Sequence, residues 1–268
     1  MAQTESTGVE RIARAFALAQ ARGSCALMPF VTGGFPSIED TEHLLRELPN
    51  AGADLIEVGI PFSDPIADGP VIAASMHEAL LRGVTPRDVF GCIRRAESVA
   101  PVLVMVSVSI IERMGVESFL VMAEESGVAG LIVPDAGPEF WLDARRMARA
   151  VTERLGVVEL VAPSTPRDRL ERIVQEANAF IYLLARAGIT GERSDAPEVA
   201  ARVAEIRTIR DVRIAVGFGV STAAHVSAVG MHADGAIVGS AIVRAMDEAA
   251  RSGNSATEAA LRLVRTLR

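Results

Sequence analysis

The stretch DLIEVGIPFSDPIADGP, residues 54–70, changes character halfway. Leu55, Ile56 and Val58 form an apolar run of strand length. From Gly59 onward the chain is punctuated by Pro61, Pro65, Gly69 and Pro70, with Ser63, Asp64 and Asp68 able to bond their own backbone, so a loop follows. Glu57 interrupts the apolar run. A carboxylate in a buried strand costs several kcal/mol unless it is solvated, paired or kept protonated. Glu57, Asp64 and Asp68 thus gather at the C-terminal end of one strand, which in parallel α/β proteins is where chemistry is done. Asp64 reads as an Asx residue holding the turn. Asp68 has two readings, a reacting group or the cap of a helix starting near Val71. Mid-strand Glu57 reads as catalytic.

Outward from this stretch the same unit repeats. Buried strands are expected at residues 25–31, 55–59, 102–108, 130–133, 157–161, 180–185, 213–217 and 235–238. Helical periodicity fills the intervals: 38–50, 71–82, 86–99, 116–126, 139–155, 167–177, 197–210 and 221–229, then from Gly239-Ser240 onward and over 256–267. Ser37 reads as the N-cap of the first of these, and Thr85-Pro86 as N-cap and N1. Strands too apolar to face water on either side, alternating with helices, mean a parallel sheet. Eight such units in 268 residues fit a single closed (β/α)₈ TIM barrel, typically about 250 residues. An extra helix at 9–22 precedes the first strand and can plug the barrel bottom. Residues 1–8 read as a flexible N-terminal tail and 9–268 as the barrel.

Composition narrows the chemistry. The net charge is −7 with mixed signs, which disfavours a nucleic-acid surface. The 27 basic residues are all arginine, so a Schiff-base lysine is impossible. His43, His77, His225 and His232 lack ligand spacing, and no metal is expected. Cys25 and Cys92 read as reduced core thiols of a cytoplasmic protein. The longest apolar run, 101–111, reads as a strand with its ends, and the polar N-terminus lacks a signal-peptide core. The segment 186–196 exceeds the usual βα connection and reads as a lid. Gly217-Phe218-Gly219 and Gly239-Ser240 end the last two strands, where glycine and a helix N-terminus let backbone N–H groups approach a phosphate.

With these motifs assembled, the chain resembles the α subunit of tryptophan synthase. The resemblance rests on IEVGIPFSDPIADGP and on Pro29-Phe30-Val31-Thr32, Gly83-Val84-Thr85-Pro86, Gly188-Ile189-Thr190-Gly191, Gly217-Phe218-Gly219 and Gly239-Ser240-Ala241-Ile242-Val243. It implies retro-aldol cleavage of indole-3-glycerol phosphate to indole and glyceraldehyde 3-phosphate, without a cofactor. It also implies catalytic roles for Glu57 and Asp68, and phosphate contacts at Gly191, Gly219, Gly239 and Ser240. Phe30, Tyr182, Phe218 and Ile237 would line the pocket, and Arg186 and Thr190 would lie on the mobile sixth loop. The implied partner is a tryptophan synthase β subunit in an α₂β₂ complex.

Three positions depart from the family pattern. Ser107-Val108-Ser109 stands where members commonly carry Tyr-x-Asn, Phe35 replaces an aspartate, and Ala185 replaces a serine or threonine. The first change lies near the active site and the β-facing side. Three alternatives therefore remain: a stand-alone indole-producing lyase, a non-catalytic partner of a β-like subunit, and another phosphate-sugar barrel enzyme.

Overall fold

Strands buried on both faces need neighbours on both edges, and closure supplies them. The computed structural model describes residues 6–64, 69–147, 153–185, 199–217 and 219–268. Its strands are β1 Ala26–Thr32, β2 Ile56–Gly59, β3 Val102–Met105, β4 Gly130–Ile132, β5 Gly156–Val161, β6 Ile181–Leu184, β7 Ile214–Gly217 and β8 Gly235–Val238. All pair in parallel, in chain order, and β8 returns to β1 to close the barrel.

The helices among the described residues begin with α1 Gly8–Ala21, α2 Ile38–Ala51, α3 Pro70–Leu81, α4 Pro86–Ala96, α5 Val108–Met114 and α6 Val116–Glu125. They continue with α7 Pro138–Met147, α8 Arg167–Glu176, α9 Ala200–Ile209, α10 Ala223–Gly230, α11 Ser240–Arg251 and α12 Ala256–Thr266. The caps follow the sequence. Ser37 accepts from Asp40 N at 3.0 Å, and Thr85 and Asp88 form a reciprocal capping box. No helix among the described residues is long and apolar enough to cross a membrane.

Alternation along each strand splits the core in two. Val58, Val104, Leu131 and Val216 face the surrounding helices, whereas Met28, Leu55, Leu103, Ile132, Val158, Tyr182, Ala215 and Ile237 fill the barrel. The interior cluster also takes in Ile12, Ala15, Phe16 and Ala19, so α1 stops the N-terminal end as expected. Glycines make room for it. A Cβ on Gly156 would come 2.5 Å from Ile12 Cδ1, and one on Gly235 would come 3.1 Å from Phe16 Cε1. The helix takes in Gly8, one residue before its expected start, with Thr7 as N-cap. Gly8 lies flat on the barrel rim, where a Cβ would come 2.0 Å from Ala129 O.

Several boundaries differ from the expected ones by one or two residues, the helix expected over 86–99 stops three residues early at Ala96, and two further differences have a visible cause or extent. The run 102–108 is not one strand: β3 ends at Met105 and the chain turns into α5. Ser107 caps that helix and Asp135 accepts Val108 N–H at 2.9 Å, which ends the ladder. The helix expected over 139–155 does not reach its end, since 153–155 form a turn. The tail residues 1–5 lie outside the described residues.

The barrel bottom is held by half-buried acceptors. Asp54, 9% exposed, accepts Leu27 N–H at 2.9 Å and pairs with Arg22 and Arg268. Asp234 repeats the device, accepting Ile214 N–H at 2.9 Å and pairing with Arg213 at 3.0 Å and Arg207 at 3.2 Å. Asn178 accepts Val157 N–H at 2.6 Å. Replacing Asp54 by Ala leaves the Leu27 N–H without its side-chain acceptor and removes the ion pairs to Arg22 and Arg268. The expected loss is about 2–3 kcal/mol of stability, with Asp54→Asn losing less because it keeps an acceptor. Chemical denaturation of the two variants checks this.

Both cysteines are free thiols, and Cys92 is buried. Burial pushes its thiol up to about 12 and raises that of half-buried Cys25 as well.

Candidate active site

The site is built at the C-terminal end of the barrel. Ile56 and Val58 face the helices, so Glu57 between them faces inward, level with Leu103 on β3 and Phe30 on β1. It has 0% exposure. Gly59, one step closer to the mouth, leaves space for an aromatic ring: a Cβ there would come 2.6 Å from Phe30 Cζ. The Phe30 ring therefore lies across β2, one layer above the carboxyl.

The opposite side follows the same rule. A Cβ on Gly217 would come 2.3 Å from Tyr182 Oη and 2.5 Å from Cζ, so the Tyr182 ring, 5% exposed, crosses the end of β7. Ile237 on β8 is buried beside it in the interior cluster. Gly219 turns the chain after β7 with φ +80°, in the left-handed region that glycine enters at little cost. Gly239 is the N-cap of α11 and Ser240 its first residue, and no side chain caps this terminus. Its first N–H groups are available to an anion, and the helix dipole reinforces them.

Between these sides stand Met105, Leu160 and Leu184, half-buried and packed on the interior cluster. They give β3, β5 and β6 an apolar arc facing the glycine ends of β7 and β8. A flat apolar ring fits the first and a phosphate the second. The sequence reading did not name these three residues. Period-two counting from Leu103, Val158 and Tyr182 finds them.

The structure thus brings Glu57, Phe30, Tyr182, Ile237, Gly219, Gly239 and Ser240 to one end of the barrel. Asp68, Arg186, Thr190, Gly191 and Phe218, and with them the expected lid, lie outside the described residues. Both readings of Asp68 fall on that undescribed residue; the described chain resumes at Gly69, the N-cap position of α3, with the helix starting at Pro70. Asp64 accepts Ser63 Oγ–H at 2.8 Å in the turn before it.

Ser107, the N-cap of α5 just after β3, donates to Asp135 Oδ2 at 2.6 Å. With Val108 N–H on Oδ1, the Asp135 carboxylate ties the ends of β3 and β4 together at the mouth. Sequence reading missed Asp135 because its partners lie 27 and 28 residues away.

Comparison with known proteins supplies a second line of observation. A family described as tryptophan synthase alpha chain matches residues 16–268. The chain is 42% identical to the tryptophan synthase alpha chain of Halorhodospira halophila, over 90% of this chain and 89% of the other. It is 43% identical to that of Gloeobacter violaceus, over 90% and 88%. Among solved structures it superposes on the alpha chain of Legionella pneumophila with a TM-score of 0.86 and 31% identity, covering 96% of each chain. Mycobacterium tuberculosis tryptophan synthase gives 0.85 at 31% identity, covering 98% of this chain and 97% of that one.

Proposed function

The chain belongs to the tryptophan synthase alpha chain family, and from that premise we propose that Glu57 and Asp68 carry its reaction. The reaction is the family's: indole-3-glycerol phosphate is cleaved to indole and glyceraldehyde 3-phosphate in tryptophan biosynthesis. The observation that carries our assignment is the inward carboxyl of Glu57, fully buried one layer beneath the Phe30 ring.

The bond between indole C3 and the glycerol chain breaks once C3 is protonated, because the ring is then its own electron sink. Glu57 delivers that proton. Asp68 stabilises the indole N–H as it becomes cationic. The C3–carbon bond then breaks, its electron pair returning to the ring. The adjacent glycerol hydroxyl gives up its proton to the Glu57 carboxylate and becomes the aldehyde. The proton count balances, and the carboxyl is regenerated. The uncapped start of α11, with Gly239 and Ser240, and the turn at Gly219 hold the phosphate, joined by Gly191. Phe30, Tyr182, Phe218 and Ile237 enclose the ring. Arg186 and Thr190 belong to the loop that closes over it.

The protein acts in the cytoplasm with a β subunit, two α and two β chains per complex. A second reading, a lyase that needs no β subunit, is favoured by Ser107 and its bond to Asp135 where the family commonly carries Tyr-x-Asn. Light scattering on a mixture with the cognate β subunit, with indole release followed in parallel, separates them. A particle of the α₂β₂ mass with raised turnover is expected. Separate elution with unchanged turnover would establish the stand-alone lyase.

A further inference from the structure

Phe30 stands between two positions that carry no side chain, Gly59 at the end of β2 and Gly239 just after β8. The recess at Gly59 holds the tip of its ring: a Cβ there would come 2.6 and 2.9 Å from Phe30 Cζ and Cε2. The same recess holds the end of Met76, with Cε 3.2 Å from that point. The recess at Gly239 holds the other end of Phe30, with Cβ and Cδ1 at 3.5 and 3.7 Å, and Ile72 Cδ1 at 3.5 Å. Ile72 and Met76 lie one turn apart on the buried face of α3, each 4% exposed. Phe30 is thus backed along its length by one helix, and the Met76 methyl backs it at the ring tip.

Apolar contacts have no direction, so they do not by themselves fix the height of that helix. A hydroxyl pair does. Thr32, the last residue of β1, and Ser75 are 0% and 2% exposed, with their hydroxyl oxygens 2.7 Å apart. Ser75 donates its single proton to Ile72 O at 2.7 Å, so Thr32 is the donor in the pair. The pair ties β1 to α3 at the residue next to Met76. The methionine therefore fills the recess from a fixed anchor, with an unbranched side chain suited to an irregular gap.

We infer that Met76 is a specificity-determining residue for the cleavage reaction. It keeps the Phe30 ring from retreating into the recess at Gly59, and so sets the room left for the indole ring on that side of the pocket. Unsubstituted indole is held, and a substituent pointing at Phe30 is refused. The inference rests on the lyase reading above and on the place given there to Phe30. Met76 acts through that ring, so it governs which substrate fits and leaves the proton transfers to other groups. One methylene more or less in an apolar pocket is worth about 10–200-fold in kcat/KM.

The test compares kcat/KM for indole-3-glycerol phosphate and for its four derivatives with one methyl on the benzo ring. Met76→Ala empties the recess beside the ring tip. At least one methyl derivative is expected to gain about tenfold over the parent compound relative to the wild-type ratio. Met76→Leu, of similar volume, is expected to keep the wild-type ratios. A merely structural role would lower all five values alike and leave the ratios where they were. Should Met76→Ala fail to fold, Met76→Val carries the same comparison. Unchanged ratios with the parent compound still cleaved, or an equal gain in Met76→Leu, would overturn the role of Met76 and leave the lyase reading intact. No indole from the parent compound with the wild-type chain, with or without a β subunit, would overturn that reading and the inference with it.

Discussion

Glu57→Gln is expected to lower kcat by about 10²–10⁴-fold while KM stays near its wild-type value. The two side chains have the same shape, and glutamine offers no carboxyl proton to indole C3 and no base to the glycerol hydroxyl. The phosphate and ring contacts lie on other strands, so binding is retained. Stability is expected to change little, because at a position with 0% exposure the amide fills the same space as the carboxyl. Lost turnover without lost stability marks a residue kept for chemistry. Steady-state indole release and a thermal melt on the same sample measure both. A variant that loses both together would make Glu57 a structural residue.

Gly217→Ala is expected to lower kcat/KM by at least about 10²-fold. The added Cβ would come 2.3, 2.4 and 2.5 Å from Oη, Cε1 and Cζ of Tyr182. A rigid ring cannot yield by a bond rotation at its tip, so it must swing out of its place at the mouth. Overpacking of this kind also costs about 1–3 kcal/mol. The informative comparison is Tyr182→Leu, which shortens the side chain without a clash. A larger loss in Gly217→Ala than in Tyr182→Leu is expected, because the displaced ring both leaves its wall and enters the pocket. Wild-type kcat/KM in Gly217→Ala would remove Tyr182 from the pocket wall.

Much of this was legible in the sequence for a physical reason. Strands buried on both faces are unbroken apolar runs, so Glu57 stands out in β2 and the eight repeats can be counted. Glycines ending β7 and β8 are visible for the same reason. What stayed hidden depends on contacts distant in sequence. The run over 102–111 looks continuous, and only Asp135, bonded to Val108 N–H, shows where strand gives way to helix. Gly130, Gly156 and Gly235 gain meaning only once α1 is seated beneath them. The Thr32–Ser75 pair spans 43 residues, and neither hydroxyl has a signature of its own. Asp54 opens the decisive stretch, yet its work is done at the opposite end of the barrel from Glu57.

As proposed above, this barrel is expected to cleave a carbon–carbon bond with carboxylates alone, needing neither a lysine nor a metal. Indole release from indole-3-glycerol phosphate, by the purified chain before and after exhaustive chelation, tests it most directly. Indole and glyceraldehyde 3-phosphate are expected in equal amounts, at the same rate in both samples. Turnover abolished by the chelator and restored by a divalent ion would contradict it, as would the absence of indole with and without the β subunit.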